Sequence, residues 1–371
     1  MVTKPEAAGR RQGNSGKIQK KSILRDMRKL VYIILVAAAV ASCSKNDVIG
    51  EVVGEAISFG DVFVGKPTKA GDQSHTVDNL TAFYVFGNVE LNKNAANTVT
   101  LYSRVPVTKA TGSTSWNYPD ENIQYWLPGC KYNFAAVSDL VEEDGSVNQL
   151  ITVSATNGFP ESITYNVAAQ RDLLYAEVKN VETTETGVPM VGLTALANKT
   201  VDFTFNHLLS KVQFEFTNKF ASSTGVDLTV TDIQIQTPAG ASAVYDLTST
   251  PHSWGAISGD ATIDFGSIGT ANLNTSSVKI SPDKAEHSAH CYLIPGTYGT
   301  MTISFKVNHN KGGSATPKTI TMTDVTLQPG YSYNFTAELT SGNVQGVVPI
   351  KFNITINNNA DWDNTDKEVQ Y

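Results

Sequence analysis

Apolar and polar residues alternate with a period of two along several segments of this chain, and this pattern limits its possible folds more than any other sequence feature. In residues 348–357 an apolar residue occupies every second position, and proline or polar residues stand between them. Successive side chains of a β-strand point to opposite faces, so this segment predicts a strand with one dry and one wet face. Residues 211–216, 301–307 and 331–339 show the same alternation. No stretch after residue 55 combines a helical apolar period with capping residues, so the pattern predicts an all-β protein.

Turn residues separate these alternating runs. Pro295-Gly296, Pro329-Gly330 and Gly312-Gly313 each interrupt segments rich in Thr, Val, Ile and Tyr. Half-buried strands at this spacing favour consecutive antiparallel β-sandwiches rather than a parallel sheet. The alternation weakens between residues 181 and 200, which predicts an N-terminal sandwich over 55–197 and a C-terminal sandwich over 198–371.

The segment from Met27 to Cys43 is typical of a bacterial lipoprotein signal. Arg28 and Lys29 are followed by an apolar run over 30–40 and by two small residues before the cysteine. The run has about 11 residues, fewer than the roughly 20 that a membrane-spanning helix needs. The sequence therefore predicts export, removal of the signal peptide 27–42 and lipid attachment to Cys43.

The segments on either side of this signal fall outside the expected fold. Residues 1–26 are basic and lack apolar periodicity, and translation from Met27 would produce a complete signal without them. We therefore expect 1–26 to be a disordered or non-native extension. Residues 43–54 would link the lipid anchor to the first sandwich.

Net charge and cysteine content indicate which partners and which cysteine states to expect. The chain has 28 basic and 35 acidic residues; residues 1–43 hold 9 and 2 of these, which leaves 19 and 33, a net charge of −14. Such an acidic surface repels phosphate backbones, so nucleic acid is not an expected partner. Cys130 and Cys291 are far apart in sequence, and we expect both to be buried free thiols.

No motif indicates an enzyme. The chain lacks a Gly-x-Ser-x-Gly elbow, a phosphate-binding glycine loop and a His-Glu-x-x-His pair. His287 and His290 would point to opposite faces of an extended strand, so no metal site or cofactor is expected. Four aromatic residues leave two interpretations open, a sugar-binding platform or ordinary packing: Trp116, Tyr118, Tyr125 and Trp126.

The order of several short motifs carries a family resemblance that covers most of the mature chain. These motifs are Ala82-Phe83-Tyr84-Val85-Phe86-Gly87, Tyr125-Trp126-Leu127-Pro128-Gly129, Asp172-Leu173-Leu174-Tyr175-Ala176, Phe205-Asn206-His207-Leu208-Leu209-Ser210-Lys211-Val212, Tyr292-Leu293-Ile294-Pro295, Pro329-Gly330-Tyr331-Ser332-Tyr333-Asn334-Phe335 and Ile354-Thr355-Ile356. With the lipoprotein signal, the chain resembles the fimbrillin-like (Mfa-like) proteins of Bacteroides and Porphyromonas relatives, subunits of type V pili.

The resemblance implies two transthyretin-like sandwiches carried to the outer membrane as a surface-exposed, lipid-anchored precursor. It further implies that a trypsin-like maturation protease removes the N-terminal strand and that a strand from another fimbrillin subunit fills the groove. The matching strand here is 56–64. Lys66 precedes Pro67, which such proteases cut poorly, so Lys69 is the better candidate for the maturation site.

The residues themselves add a constraint on that first strand. Ile57 and Phe59 share one parity, whereas Val62 and Val64 share the other. A β-bulge at Gly60-Asp61 would let all four face the core. The candidate donor strand, which is equally an ordinary last strand, carries Val348, Ile350, Phe352, Ile354 and Ile356.

Two functions remain open from the sequence. The chain is either a structural or adhesive subunit of a fimbria assembled by strand exchange, or a non-polymerising surface lipoprotein that binds a glycan or host ligand. Neither requires catalysis.

Overall fold

The computed structural model describes residues 54–64, 80–110, 113, 115–138, 140, 148–270, 279–312, 314–357 and 367–369, with the backbone alone at 61, 63, 64, 357 and 367–369. Cys43, Lys66 and Lys69, together with the predicted signal peptide, lie outside these residues. The described part forms one compact unit from Gly54 onward.

Strands dominate this unit. They are β1 (Ser58–Val64), β2 (Ala82–Glu90), β3 (Thr98–Lys109), β4 (Trp116–Asn117), β5 (Lys131–Val137), β6 (Ile151–Thr156), β7 (Phe159–Asn166), β8 (Leu174–Thr183), β9 (Pro189–Val191), β10 (Thr194–Ala195), β11 (Thr200–His207), β12 (Ser210–Asn218), β13 (Leu228–Thr237), β14 (Ser242–Asp246), β15 (Ser253–Trp254), β16 (Ala261–Asp264), β17 (Ala285–His287), β18 (Cys291–Leu293), β19 (Gly296–Tyr298), β20 (Met301–His309), β21 (Thr316–Met322), β22 (Val325–Leu327), β23 (Ser332–Leu339), β24 (Asn353–Asn357) and β25 (Lys367–Val369). One short α-helix, α1 (Ser341–Val344), begins at a capping box formed by Thr340 and Asn343.

The strands form layered sheets. A nine-stranded sheet runs β1-β11-β8-β5-β2-β3-β4, and β9 and β10 extend it beside β8. A six-stranded sheet runs β17-β12-β23-β24-β25, with β18 also paired to β12. Two four-stranded sheets, β16-β13-β20-β21 and β15-β14-β7-β6, and the pair β19-β22 complete the described part.

Two apolar cores lie on opposite faces of the nine-stranded sheet. On β5, Phe134 and Ala136 belong to one core, whereas Ala135 and Val137 belong to the other. The first core is closed by β1, β11 and residues near Trp126. The second is shared with the remaining sheets. A strand buried on both faces reads as a continuous apolar run, as residues 134–137 of β5 do.

The all-β expectation is confirmed, but two strand pairs depart from a wholly antiparallel arrangement. β1 pairs with β11, and β12 with β23, in parallel. Short turns force antiparallel neighbours, whereas strands that are distant in sequence pair in either direction. Period-two alternation is the same in both cases and could not distinguish them.

Strand pairing also crosses the predicted boundary near residue 198. β11, placed by the sequence analysis in the second sandwich, pairs with β8 and β1. β14 likewise pairs with β7 of the first half. The weak alternation between 181 and 200 corresponds to the β9-β10 hairpin rather than to a break between sheets.

The expected last strand is shorter than its alternation suggests. β24 begins at Asn353, so residues 348–352 precede the strand instead of forming its first half. Val348 is 54% exposed, whereas Ile350 and Ile354 are buried. Pro349 cannot donate a ladder hydrogen bond, which is consistent with the late start. β24 lies between β23 and β25 and is therefore paired on both sides.

Candidate functional site at the first strand

β1 is the edge strand of the nine-stranded sheet. Over Ser58–Val64 its ladder partner is β11, in parallel, with Phe59 opposite Val201 and Val62 opposite Phe203. Parallel pairs are slightly less stable per residue than antiparallel ones. The strand that the resemblance marks as removable is thus held by a single ladder along this length.

The register confirms the bulge predicted from parity. Phe59 and Val62 are three residues apart, but their partners Val201 and Phe203 are two apart, so Gly60-Asp61 contains one extra residue. A Cβ atom on Gly60 would lie 2.2 Å from Asp202 Oδ1 and 2.8 Å from Thr200 Oγ1. Side chains of β11 therefore crowd this position.

The inward side chains of β1, and that of Ile57 immediately before it, are part of the first core. Ile57, Phe59 and Val62 are 1%, 4% and 8% exposed. Five aromatic rings surround Phe59 with ring centroids 5.5–6.5 Å from its own: Tyr118, Tyr102, Phe203, Phe83 and Phe134. The predicted inward orientation holds for these three residues; the side chain of Val64 lies outside the description.

A second segment holds the start of β1 from its other side. The Ile57 N–H donates to the Gln124 carbonyl at 2.8 Å, and the Trp126 N–H donates to the Glu55 carbonyl at 3.0 Å. The Tyr118 hydroxyl donates to the Ile57 carbonyl at 2.5 Å, and burial raises the pKa of this phenol. β1 and the residues 55–57 that lead into it therefore occupy a slot, which is bordered by β11 along β1 and by residues 118–126 at its start.

Lys199, at the start of β11, strengthens this end of the slot. Its ammonium pairs with the Glu55 carboxylate, and both side chains are substantially exposed. Its carbonyl accepts a hydrogen bond from the Trp126 indole at 3.1 Å. The sequence did not indicate Lys199, and it indicated Tyr118 only as part of a possible sugar platform, because no local period connects residues that meet only in the fold.

The four aromatic residues considered for a sugar platform do not share one exposed surface. Trp126 is 1% exposed, and Tyr118 is bound to β1. Trp116 packs on Phe83 with a centroid distance of 4.7 Å, while Tyr125 is 44% exposed. Packing around the first core accounts for three of the four.

Other candidate chemistry is distributed rather than clustered. His287 Nε2 lies 2.9 Å from Glu215 Oε2, and burial lowers the pKa of His290. Among the described residues, no group of three or more His, Cys, Asp and Glu side chains could hold a metal ion.

The described cysteines and helix add no further candidate site. Cys130 and Cys291 are buried and free, as expected from the sequence. Burial raises the pKa of Cys291 to about 12 and also raises that of Cys130. No helix in the described ranges is long and apolar enough to cross a membrane.

These observations define a class: an all-β protein of layered sheets whose first strand is a bulged, parallel edge strand with a buried aromatic anchor. Residues 68–359 match the family described as fimbrillin-like. The chain belongs to the fimbrillin-like family. The matched residues begin after β1, so that strand precedes the region that defines the match.

One solved structure with a TM-score above 0.5 shares the fold. A fimbrial protein from Bacteroides vulgatus ATCC 8482 has 18% sequence identity and a TM-score of 0.56, with 83% of this chain and 99% of that chain covered. A proposed cell adhesion protein from Bacteroides ovatus ATCC 8483 has 16% identity and a TM-score of 0.47, with 81% and 96% covered. No curated protein matches the chain.

Proposed function

We propose that this chain is a structural or adhesive subunit of a cell-surface fimbria, assembled when a protease removes β1 and a strand from another subunit replaces it. Family membership supports the fimbrial assignment. The observation that carries the exchange step is the slot: β1 contributes buried apolar side chains to a core whose other members come from distant segments.

The energetics favour replacement over an empty slot. At about 1.5–3 kcal/mol for each large apolar side chain, Ile57, Phe59 and Val62 together contribute on the order of 4.5–9 kcal/mol. Loss of β1 would also leave the outer edge of β11 unpaired. An edge with an open apolar groove is a template for β-strand addition, so a second chain is the expected occupant.

The last strand is the candidate donor. In the segment 350–356, which includes most of β24 and the residues before it, four alternate residues repeat the order of aliphatic, aromatic, aliphatic and aliphatic side chains found in residues 57–64: Ile350, Phe352, Ile354 and Ile356. In the folded chain β24 is bound on both sides, by β23 and β25. Donation therefore requires β24 to detach from its own sheet, whereas acceptance requires only the loss of β1. A chain that accepts without donating would suit a terminal or accessory position.

The proposed precursor carries its lipid and its removable strand on one segment. Cys43 would anchor the chain in the outer membrane, and cleavage after Lys69 would separate both Cys43 and β1 from the rest. A single cut would then release the subunit and open its slot. The fimbrium is the destination of the processed chain.

Limited trypsin digestion of the purified full chain tests this function. We expect a new N-terminus at Ala70, followed by oligomers that persist in detergent. Lys69→Gln should abolish both results, while Lys66→Gln is the matched control that should preserve them. A Lys69→Gln chain that still oligomerises, or a cleaved chain that stays monomeric, would contradict the proposal and favour a non-polymerising lipoprotein that binds a glycan or host ligand.

A further inference from the structure

We infer that the bulge in β1 makes this strand a weaker occupant of its slot than a strand without a bulge. The slot then fits a strand with strict period-two alternation better than it fits β1. Such a strand is therefore expected to displace β1. This inference rests on the proposed function, because it assigns the preferred partner of the same site. It depends on the pairing of β1 with β11 and not on any feature of the cleavage loop.

The irregularity belongs to β1 alone. Along β11 the buried residues Val201, Phe203 and Phe205 alternate with the exposed Asp202 and Thr204 without interruption. A partner with the same period would place one inward side chain beside each buried residue. β1 achieves this beside Val201 and Phe203 only by inserting an extra residue.

The extra residue weakens the ladder. Bulges are rare in parallel pairs, and the inserted residue has no opposite partner. A Cβ on Gly60 would lie 2.2 Å from Asp202 Oδ1 and 3.0 Å from Thr200 Cβ, so a larger residue here requires these side chains of β11 to shift. A glycine in a strand also loses more conformational entropy on folding than other residues, and it adds no side chain to the packing.

A regular strand avoids each of these costs. Residues 350–356 of a second copy read Ile-Lys-Phe-Asn-Ile-Thr-Ile, with apolar side chains at every second position. With Phe352 in the place of Phe59, Ile354 would lie beside Phe203 and Asn353 beside Asp202. Ile354 would also take the place of Val62, which increases the buried apolar surface.

Deletion of Asp61 tests the inference in the uncleaved full chain. The deletion gives β1 a period of two while leaving Ile57, Phe59 and Val62 in the sequence, and Asp61→Ala is the control that keeps the bulge. We expect the deletion to raise the melting temperature and the control to leave it unchanged. A lower melting temperature for the deletion than for the control would overturn the inference, because the bulge would then be required for packing.

Displacement of the cleaved strand gives a second measurement. After trypsin digestion, a synthetic peptide of residues 349–357 is added, and release of the fragment ending at Lys69 is followed by mass spectrometry. We expect the fragment to leave at least about tenfold more slowly from the deletion variant than from Asp61→Ala, which corresponds to about 1.4 kcal/mol. Equal release rates would contradict the inference. Failure of trypsin to cut at Lys69 would contradict the proposed function instead, and the melting temperatures of the uncleaved chains would still decide the inference.

Discussion

Phe59→Ala is the substitution that most directly measures the hold of β1 on the first core. The ring is 4% exposed and is enclosed by five other aromatic rings. The Phe203 ring stacks on it at a centroid distance of 5.8 Å with an interplanar angle of 20°. Truncation to alanine removes the ring and leaves rigid neighbours around a void.

The expected loss in the free energy of unfolding is about 3–5 kcal/mol, the usual range for a buried phenylalanine truncated to alanine. The upper half of this range applies where neighbours cannot collapse into the cavity. Two features place Phe59 there: the surrounding side chains are rings, and edge-to-face pairs contribute about 0.5–1.5 kcal/mol beyond the buried area. Phe59→Leu keeps much of the volume and should cost less than about half as much.

Urea unfolding of the full chain, followed by circular dichroism, measures the difference. The control is Leu193→Ala, because Leu193 is 96% exposed and its truncation should change stability by less than about 0.5 kcal/mol. A loss of less than about 1 kcal/mol for Phe59→Ala would refute the reasoning, since β1 would then contribute too little to the core for its removal to drive strand addition.

Three further predictions concern single sites. Gly60→Ala should destabilise the chain by about 1–3 kcal/mol through overpacking, and adding Asp202→Ala should restore part of this in a double-mutant cycle of urea unfolding. The hydrogen bond from His287 lowers the pKa of Glu215, so this carboxylate stabilises the fold above about pH 4.3, and its contribution is lost as the pH falls further. Glu215→Gln should therefore make stability less dependent on pH in the acid range. An unchanged dependence would contradict this. Cys291 should resist a thiol reagent in the native chain at pH 8 and react once urea unfolds it; rapid native labelling would contradict its burial.

The sequence predicted the features that depend on residues close together in the chain. The parity change between Phe59 and Val62 predicted a bulge, and the register of β1 contains it. The free buried thiols and the all-β class also followed from local composition and period. In each case the physical constraint acts within a few residues.

Pairing between distant segments could not be predicted in the same way. The parallel direction of β1 on β11 depends on where the chain returns, and side-chain alternation does not specify direction. The approach of Tyr118 to Ile57, 61 residues earlier in the chain, has no local signature either. β24 shows that alternation can also predict too long a strand. The alternation continues through 348–352, although no ladder forms there.

The nine-stranded sheet has a mechanical consequence for a protein that serves at the cell surface. Neighbouring residues of β5, such as Phe134 and Ala135, belong to different cores, so neither layer can be pulled from this sheet without wetting an apolar interior. Tension applied to the described part would act on both cores together, because both pack on the same sheet. Resistance to forced unfolding depends on the rate of unfolding, and separation of the layers from this sheet must expose apolar surface of both cores. The described part would then bear tension as one unit rather than as two domains on a string.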